Sequence, residues 1–215
     1  MGGWEYFILS SYMLPIGTGL ALLIQKRLPF VGSMLWIYML FTLCVEIVSF
    51  TLASNGINNL WLYRVYLYAE LVFPSLFFFS QFSKKRSKMS IVIVFISAII
   101  LTSLTNLFDD WQAHASVQTI ITFGCVSFII ISYFVEMFQM EKVFSPFKDV
   151  YFVVGGILFL GHSCTLIYNI LYDYLVSGYF GASILSILDK INLNLILIYN
   201  ILYSYALWIS RQRRI

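Results

Sequence analysis

Glu46, Glu70 and His162 stand deep inside long apolar runs, and two carboxylates with an imidazole are residue types that can hold or exchange a proton. Glu46 falls roughly seven residues, or on the order of 10 Å along a helix, inside the second run, with Thr42 and Ser49 on its face by i−4 and i+3 spacing. Glu70 lies in the third run with Tyr63 and Tyr66 on its face. Arg64 enters that run one to two turns earlier. Six residues turn a helix through about 240°, so Arg64 points away from Glu70's face. Two readings stay open for it: a bridge to Glu46 on the neighbouring helix, or a side chain that snorkels to the membrane boundary.

The later runs carry neutral polar groups in stripes. His162, Thr165, Asn169 and Asp173 line one face of the sixth run. The seventh presents Asn192 and Asn200 two turns apart, with Tyr199 and Tyr203 beside them and Lys190 and Asn194 on a neighbouring stripe. A charged group at the centre of a bilayer costs roughly 2.5–3.5 kcal/mol on insertion scales, so such groups turn inward and find partners. A polar cavity open to the outer side, formed by Glu46, Arg64, Tyr66, Glu70, His162, Asn169, Asn192 and Asn200, accounts for them together. The competing reading is a set of interhelical hydrogen bonds, worth about 0.6 kcal/mol each, within a packed bundle. Glu136, close to the inner end of the fifth run, reads as interfacial.

The elements that must position these groups follow from composition. Hydrophobic residues make up 60% of the chain and charged ones 11%, with mean hydropathy +0.87. Soluble domains carry about 25% charge, so too little polar surface exists here to coat a water-soluble particle. A spanning helix needs roughly 20 apolar residues, and seven runs qualify: Tyr6 to Ile24, Phe30 to Ala53, Leu60 to Phe82, Met89 to Leu107, Val117 to Phe138, Val150 to Tyr172 and Ile184 to Trp208. The connections between them are short. The expected fold is all-α, a polytopic transmembrane bundle of seven helices forming a single domain over residues 1–215. The first run lacks a basic leader and a small-residue cleavage site, so it is expected to be retained as a helix. Pro15 and Pro74 should kink their helices, and Gly155, Gly156 and Gly161 should let helices approach closely.

Sidedness follows from the basic residues. Of 13 Lys and Arg, all but Arg64 and Lys190 fall in alternate connections or at the C-terminus: Lys26 and Arg27, then Lys84, Lys85, Arg86 and Lys88, then Lys142 and Lys148, then Arg211, Arg213 and Arg214. Basic connections stay in the cytoplasm, which places the N-terminus outside and the C-terminus inside. Glu5, Asp109, Asp110, Asp173 and Asp189 fall on the outer face, and Trp4, Trp61, Trp111 and Trp208 lie near the boundaries as interfacial aromatics do.

Several activities are excluded. Cys44, Cys125 and Cys164 form no CxxC pair and no Cys/His ligand spacing, so no metal site is expected. No phosphate-binding loop, metalloprotease motif, nucleophile elbow or dinucleotide fingerprint occurs, and no cofactor is expected. The net charge of +3 gives no footprint for nucleic acid.

Three segments in the middle third resemble a family of uncharacterised small seven-helix membrane proteins common in Bacteroidota and often encoded near sensor histidine kinases. They are Glu46-Ile47-Val48-Ser49-Phe50, Asn58-Asn59-Leu60-Trp61-Leu62-Tyr63 and Tyr66-Leu67-Tyr68-Ala69-Glu70-Leu71, and the later Tyr199-Asn200-Ile201-Leu202-Tyr203 also fits. The resemblance implies a multi-pass protein of a bacterial cytoplasmic (inner) membrane and a sensory context. The expected function is a sensory, signal-coupling or accessory membrane module, with the lipid bilayer as one partner and a sensor kinase or envelope complex as another. The alternative is a small-solute transporter of three-plus-one-plus-three helices, although the Pro-Gln dipeptide of such carriers is missing. An intramembrane enzyme using Glu46, Glu70 and His162 is the least favoured reading.

Overall fold

Every one of the seven apolar runs folds as helix, and the described residues contain no strand. The computed structural model describes residues 3–108, 116–139, 145–177 and 182–211. Asp109, Asp110, Trp111, Lys142, Arg213 and Arg214 lie outside them, as do the side chains of Trp4, Glu5, Asn169, Asp173 and Asp189. The first run comes as two helices, α1 (Gly3–Ser11) and α2 (Met13–Ile24). The others are α3 (Phe30–Ser54), α4 (Leu60–Phe79), α5 (Lys85–Phe108), α6 (Ser116–Phe138), α7 (Val150–Ser177) and α8 (Ala182–Ser210). Six of them, α3 to α8, are long and apolar enough to cross a membrane.

Local chemistry sets the ends. Pro15 has no N–H to give to the carbonyl of Ser11, the residue at which α1 stops. The expected kink at Pro15 is therefore a joint at Tyr12, three residues upstream, and Pro15 itself sits in the first turn of α2, where a proline is tolerated. Pro74 behaves differently: α4 runs through it without a break. Gly56 (φ +71°) ends α3 in the left-handed conformation, with the N–H of Ile57 reaching back 3.0 Å to the carbonyl of Leu52. Asp149 starts α7: its Oδ1 accepts from the N–H groups of Tyr151 at 2.9 Å and Phe152 at 3.0 Å.

The surface pattern is that of a protein dissolved in lipid. On α5, Met89, Ile93, Ile96, Ile100, Leu104 and Leu107 form an exposed apolar stripe at steps of three and four, while Ala98, Thr102 and Asn106 point inward. Phe30 is 81% exposed and Phe108 is 85% exposed, whereas Arg64, Gln118, Thr119 and Thr122 have no exposed surface. Water would select the opposite arrangement. The chain is a multi-pass membrane protein.

The helices gather into two compact units, Met1–Leu43 with Pro146–Ile215, and Cys44–Ser145. In the first, α8 packs against α7, α2 and α1; in the second, α6 packs against α4 and α5, which also touch each other. The division falls inside α3 and joins the first and the last two runs in one unit, so it does not separate consecutive triplets of helices.

Within the first unit, helices approach closely at Gly32, where a Cβ would fall 2.6 Å from Ser210 Oγ, and most tightly at Gly19. A Cβ there would fall 2.1 Å from Cδ1 of Trp36, whose indole N–H donates to the carbonyl of Ile16 at 3.0 Å. Two of the glycines expected to serve this purpose do so less closely: nothing lies within 4 Å of a Cβ at Gly156, and Gly161 has ordinary contact, 3.5 Å, with the Tyr199 ring. Gly19→Ala should therefore displace the indole and cost about 1–3 kcal/mol, read as a lowered unfolding midpoint in detergent. Gly156→Ala should leave that midpoint unchanged or slightly higher.

Candidate functional site

The buried side of α4 repeats at helical spacing: Arg64, Leu67, Leu71, Ser75 and Phe78. An arginine on that stripe is carried into the unit with the leucines, and Arg64 is fully buried, with 0% exposure. It does not snorkel to the boundary. Its Nη1 donates to Oδ1 of Asn106 on α5 at 3.2 Å. The same oxygen accepts a short hydrogen bond from Nε2 of Gln118 on α6. Asn106 then donates through Nδ2 to the Tyr68 hydroxyl at 2.8 Å, and Tyr68 shares a 3.2 Å hydrogen bond with Ser103. One amide thus joins all three helices.

Spare hydrogen-bonding capacity surrounds it. Gln118 Oε1, Thr102 Oγ1 and Thr122 Oγ1 are buried and have no hydrogen-bond partner among the described residues. Each such group costs roughly 1–3 kcal/mol when left dry, so this corner of the unit can accept water or a small polar guest. Glu70, also buried, accepts a short hydrogen bond from the Tyr66 hydroxyl one turn earlier, and the Tyr66 ring lies 6.4 Å from that of Tyr63. Glu46 is half-buried on α3; one turn on, Ser49 accepts from Asn59 Nδ2 at 2.6 Å.

The eight residues expected to line a cavity divide between the units. Glu46, Arg64, Tyr66 and Glu70 belong to Cys44–Ser145; His162, Asn169, Asn192 and Asn200 belong to the other. Tyr66 and Glu70 are brought together. In the first unit Asn200 is buried and donates to the Ser11 hydroxyl at 2.7 Å, tying α8 to α1. His162 is buried on α7, and Asn192 is half-buried on α8. The Asn169 side chain lies outside the described residues. Among the described residues, no three His, Cys, Asp or Glu gather as a metal site.

Asn106, Gln118, Thr102 and Thr122 were not singled out by sequence. Asn106 and Gln118 stand beside the ends of their runs, where polar residues ordinarily mark a boundary. The available signal is the pairing Thr102/Asn106 and Gln118/Thr122, each at i, i+4 and so on one helix face.

At the other end of α6, Glu136 is buried within the protein. Its Oε1 accepts from the Ser83 N–H at 2.7 Å, the Ser83 hydroxyl at 2.6 Å and the Lys84 N–H at 3.2 Å. It clamps the connection that leads into α5. Phe78 and Phe82 flank Tyr133 on the turn before it, at centroid distances of 5.2 and 6.2 Å. Three polar contacts from one carboxylate explain why it is drawn inward despite its charge.

No family model matches the chain, and comparison with curated proteins and with solved structures returns no match.

Asn106→Ala removes a hub of three hydrogen bonds and should lower stability by about 2 kcal/mol, whereas Ser103→Ala should change it by less than about 1 kcal/mol. Equilibrium unfolding in mixed detergent separates the two. Glu136→Ala should free the Ser83–Lys84 backbone, and limited trypsin digestion should then cut after Lys84, Lys85 or Arg86 faster than in the unaltered protein.

Proposed function

We propose that this protein is a sensory or signal-coupling module of a bacterial cytoplasmic membrane, with its N-terminus outside and its C-terminus in the cytoplasm. The polar network around Arg64 receives the input, and the basic connection held by Glu136 delivers the output. The observation that carries this reading is that one helix, α6, contributes to both: Gln118 to the network and Glu136 to the clamp. Eighteen residues separate them, about 27 Å along the axis, close to the thickness of a hydrocarbon core. A guest or proton that rearranges Gln118 at one end acts on a rigid rod whose other end fixes Ser83 and Lys84.

Sidedness rests on the distribution of Lys and Arg. The sensory context rests on the resemblance to small seven-helix proteins encoded beside sensor kinases, which makes a sensor kinase or an envelope complex the natural recipient. The transporter reading asks for two consecutive triplets of helices, and the grouping of α1, α2, α7 and α8 in one unit gives it no support.

The test uses Lys85→Cys in a background in which Cys44, Cys125 and Cys164 are replaced. A membrane-impermeant maleimide should reach position 85 in inside-out vesicles and not in right-side-out ones. Arg64→Gln, more than an active-site length away, should change the labelling rate at position 85 by roughly threefold or more, while Asn194→Ala should leave it alone. An unchanged rate with Arg64→Gln, in protein that still inserts, would sink the coupling.

A further inference from the structure

The connection between α4 and α5 carries Lys84, Lys85, Arg86 and Lys88 within five positions. Its backbone is fixed, because Glu136 takes the N–H groups of Ser83 and Lys84. Lys84 Nζ is steadied by Oε1 of Gln139 at 2.9 Å, just beyond α6, and the Lys88 ammonium lies 5.7 Å from the centroid of the Phe79 ring on α4. Lys85 and Arg86 are exposed. The cations therefore span the adjoining ends of three helices in a defined arrangement.

Directly beside them the surface is apolar. Phe79, Met89, Ile93 and Phe138 are all exposed. An acidic protein from solution would cover the cations and leave these residues bare. A molecule with an anionic head and hydrocarbon tails covers both.

We propose that the first turn of α5, with the ends of α4 and α6, is a binding site for an anionic phospholipid. The phosphate lies among Lys85, Arg86 and Lys88, and the acyl chains run along Phe79, Met89 and Ile93. The site lies on the connection assigned above as the output, but it needs only the geometry of the Cys44–Ser145 unit, and the lipid preference is read without any signalling partner. Lipid bound there would also brace the clamp from its open side.

The full chain, purified into nanodiscs holding equal phosphatidylglycerol and phosphatidylcholine, is released into the gas phase and its retained lipids are counted by native mass spectrometry. The protein should keep phosphatidylglycerol in clear preference, and the preference should fall by roughly fivefold for each basic residue removed. The triple variant Lys85→Gln, Arg86→Gln, Lys88→Gln should lose it, whereas Lys26→Gln with Arg27→Gln, on a different connection, should keep it. Equal retention of the two lipids by the unaltered protein overturns the proposal, as does an equal loss in both variants. Binding of soluble polyglutamate to protein in pure phosphatidylcholine, without any preference for phosphatidylglycerol, overturns it in favour of an acidic protein. If the triple variant fails to assemble, the lipid competition on the unaltered protein and its weakening by salt decide the matter.

Discussion

Arg64 has no exposed surface, and its charge is permanent. Inside a unit whose outer faces meet hydrocarbon, a guanidinium has to be surrounded by oxygen, and those oxygens must come from helices packed closely enough to supply them. Asn106 answers this by serving the arginine and Gln118 with one oxygen while its nitrogen holds Tyr68. The register of α4, α5 and α6 is thereby fixed at one end. Leucine packing alone would tolerate small slides of these helices; a shared amide does not. The remaining buried capacity on Gln118, Thr102 and Thr122 makes the same place responsive, since any guest that uses it alters the balance among three helices at once.

The opposite end of the unit is organised by the same logic with the sign reversed. Glu136 is an anion drawn inward by two backbone N–H groups and a hydroxyl. Near the second pole, Phe78 of α4 and Phe82 just beyond it pack on Tyr133 of α6, and this ring packing supplies adhesion without polar cost. A buried cation near one end of α6 and a buried anion near the other give this unit two specific anchorage points separated by an apolar middle.

The positions of the helices were legible because a bilayer imposes a minimum length of apolar chain, and no soluble alternative fits 11% charge. Individual stops follow local turn chemistry: Gly56 ends α3, and Asp149 opens α7. Other features depend on tertiary geometry and have no local mark. Gly155, Gly156 and Gly161 form the obvious small-residue patch, but the ring that needs room is Trp36, and it meets Gly19. Pro15 foretold a disturbance in the first run, yet the break sits upstream, at the carbonyl that lost its donor. Arg64, Glu70, Tyr66 and Asn200 were visible as polar residues in apolar runs. Asn106 and Gln118 stand near the ends of theirs, where nothing local marks them.

The helices differ widely in length, from the 9 residues of α1 to the 28 of α7 and 29 of α8. At about 1.5 Å per residue, the two longest extend past 40 Å, beyond an oily layer of about 30 Å. They must lean, or lift their ends among the headgroups. Such a mismatch at α7 and α8 favours particular lipid thicknesses and neighbouring proteins with complementary rims.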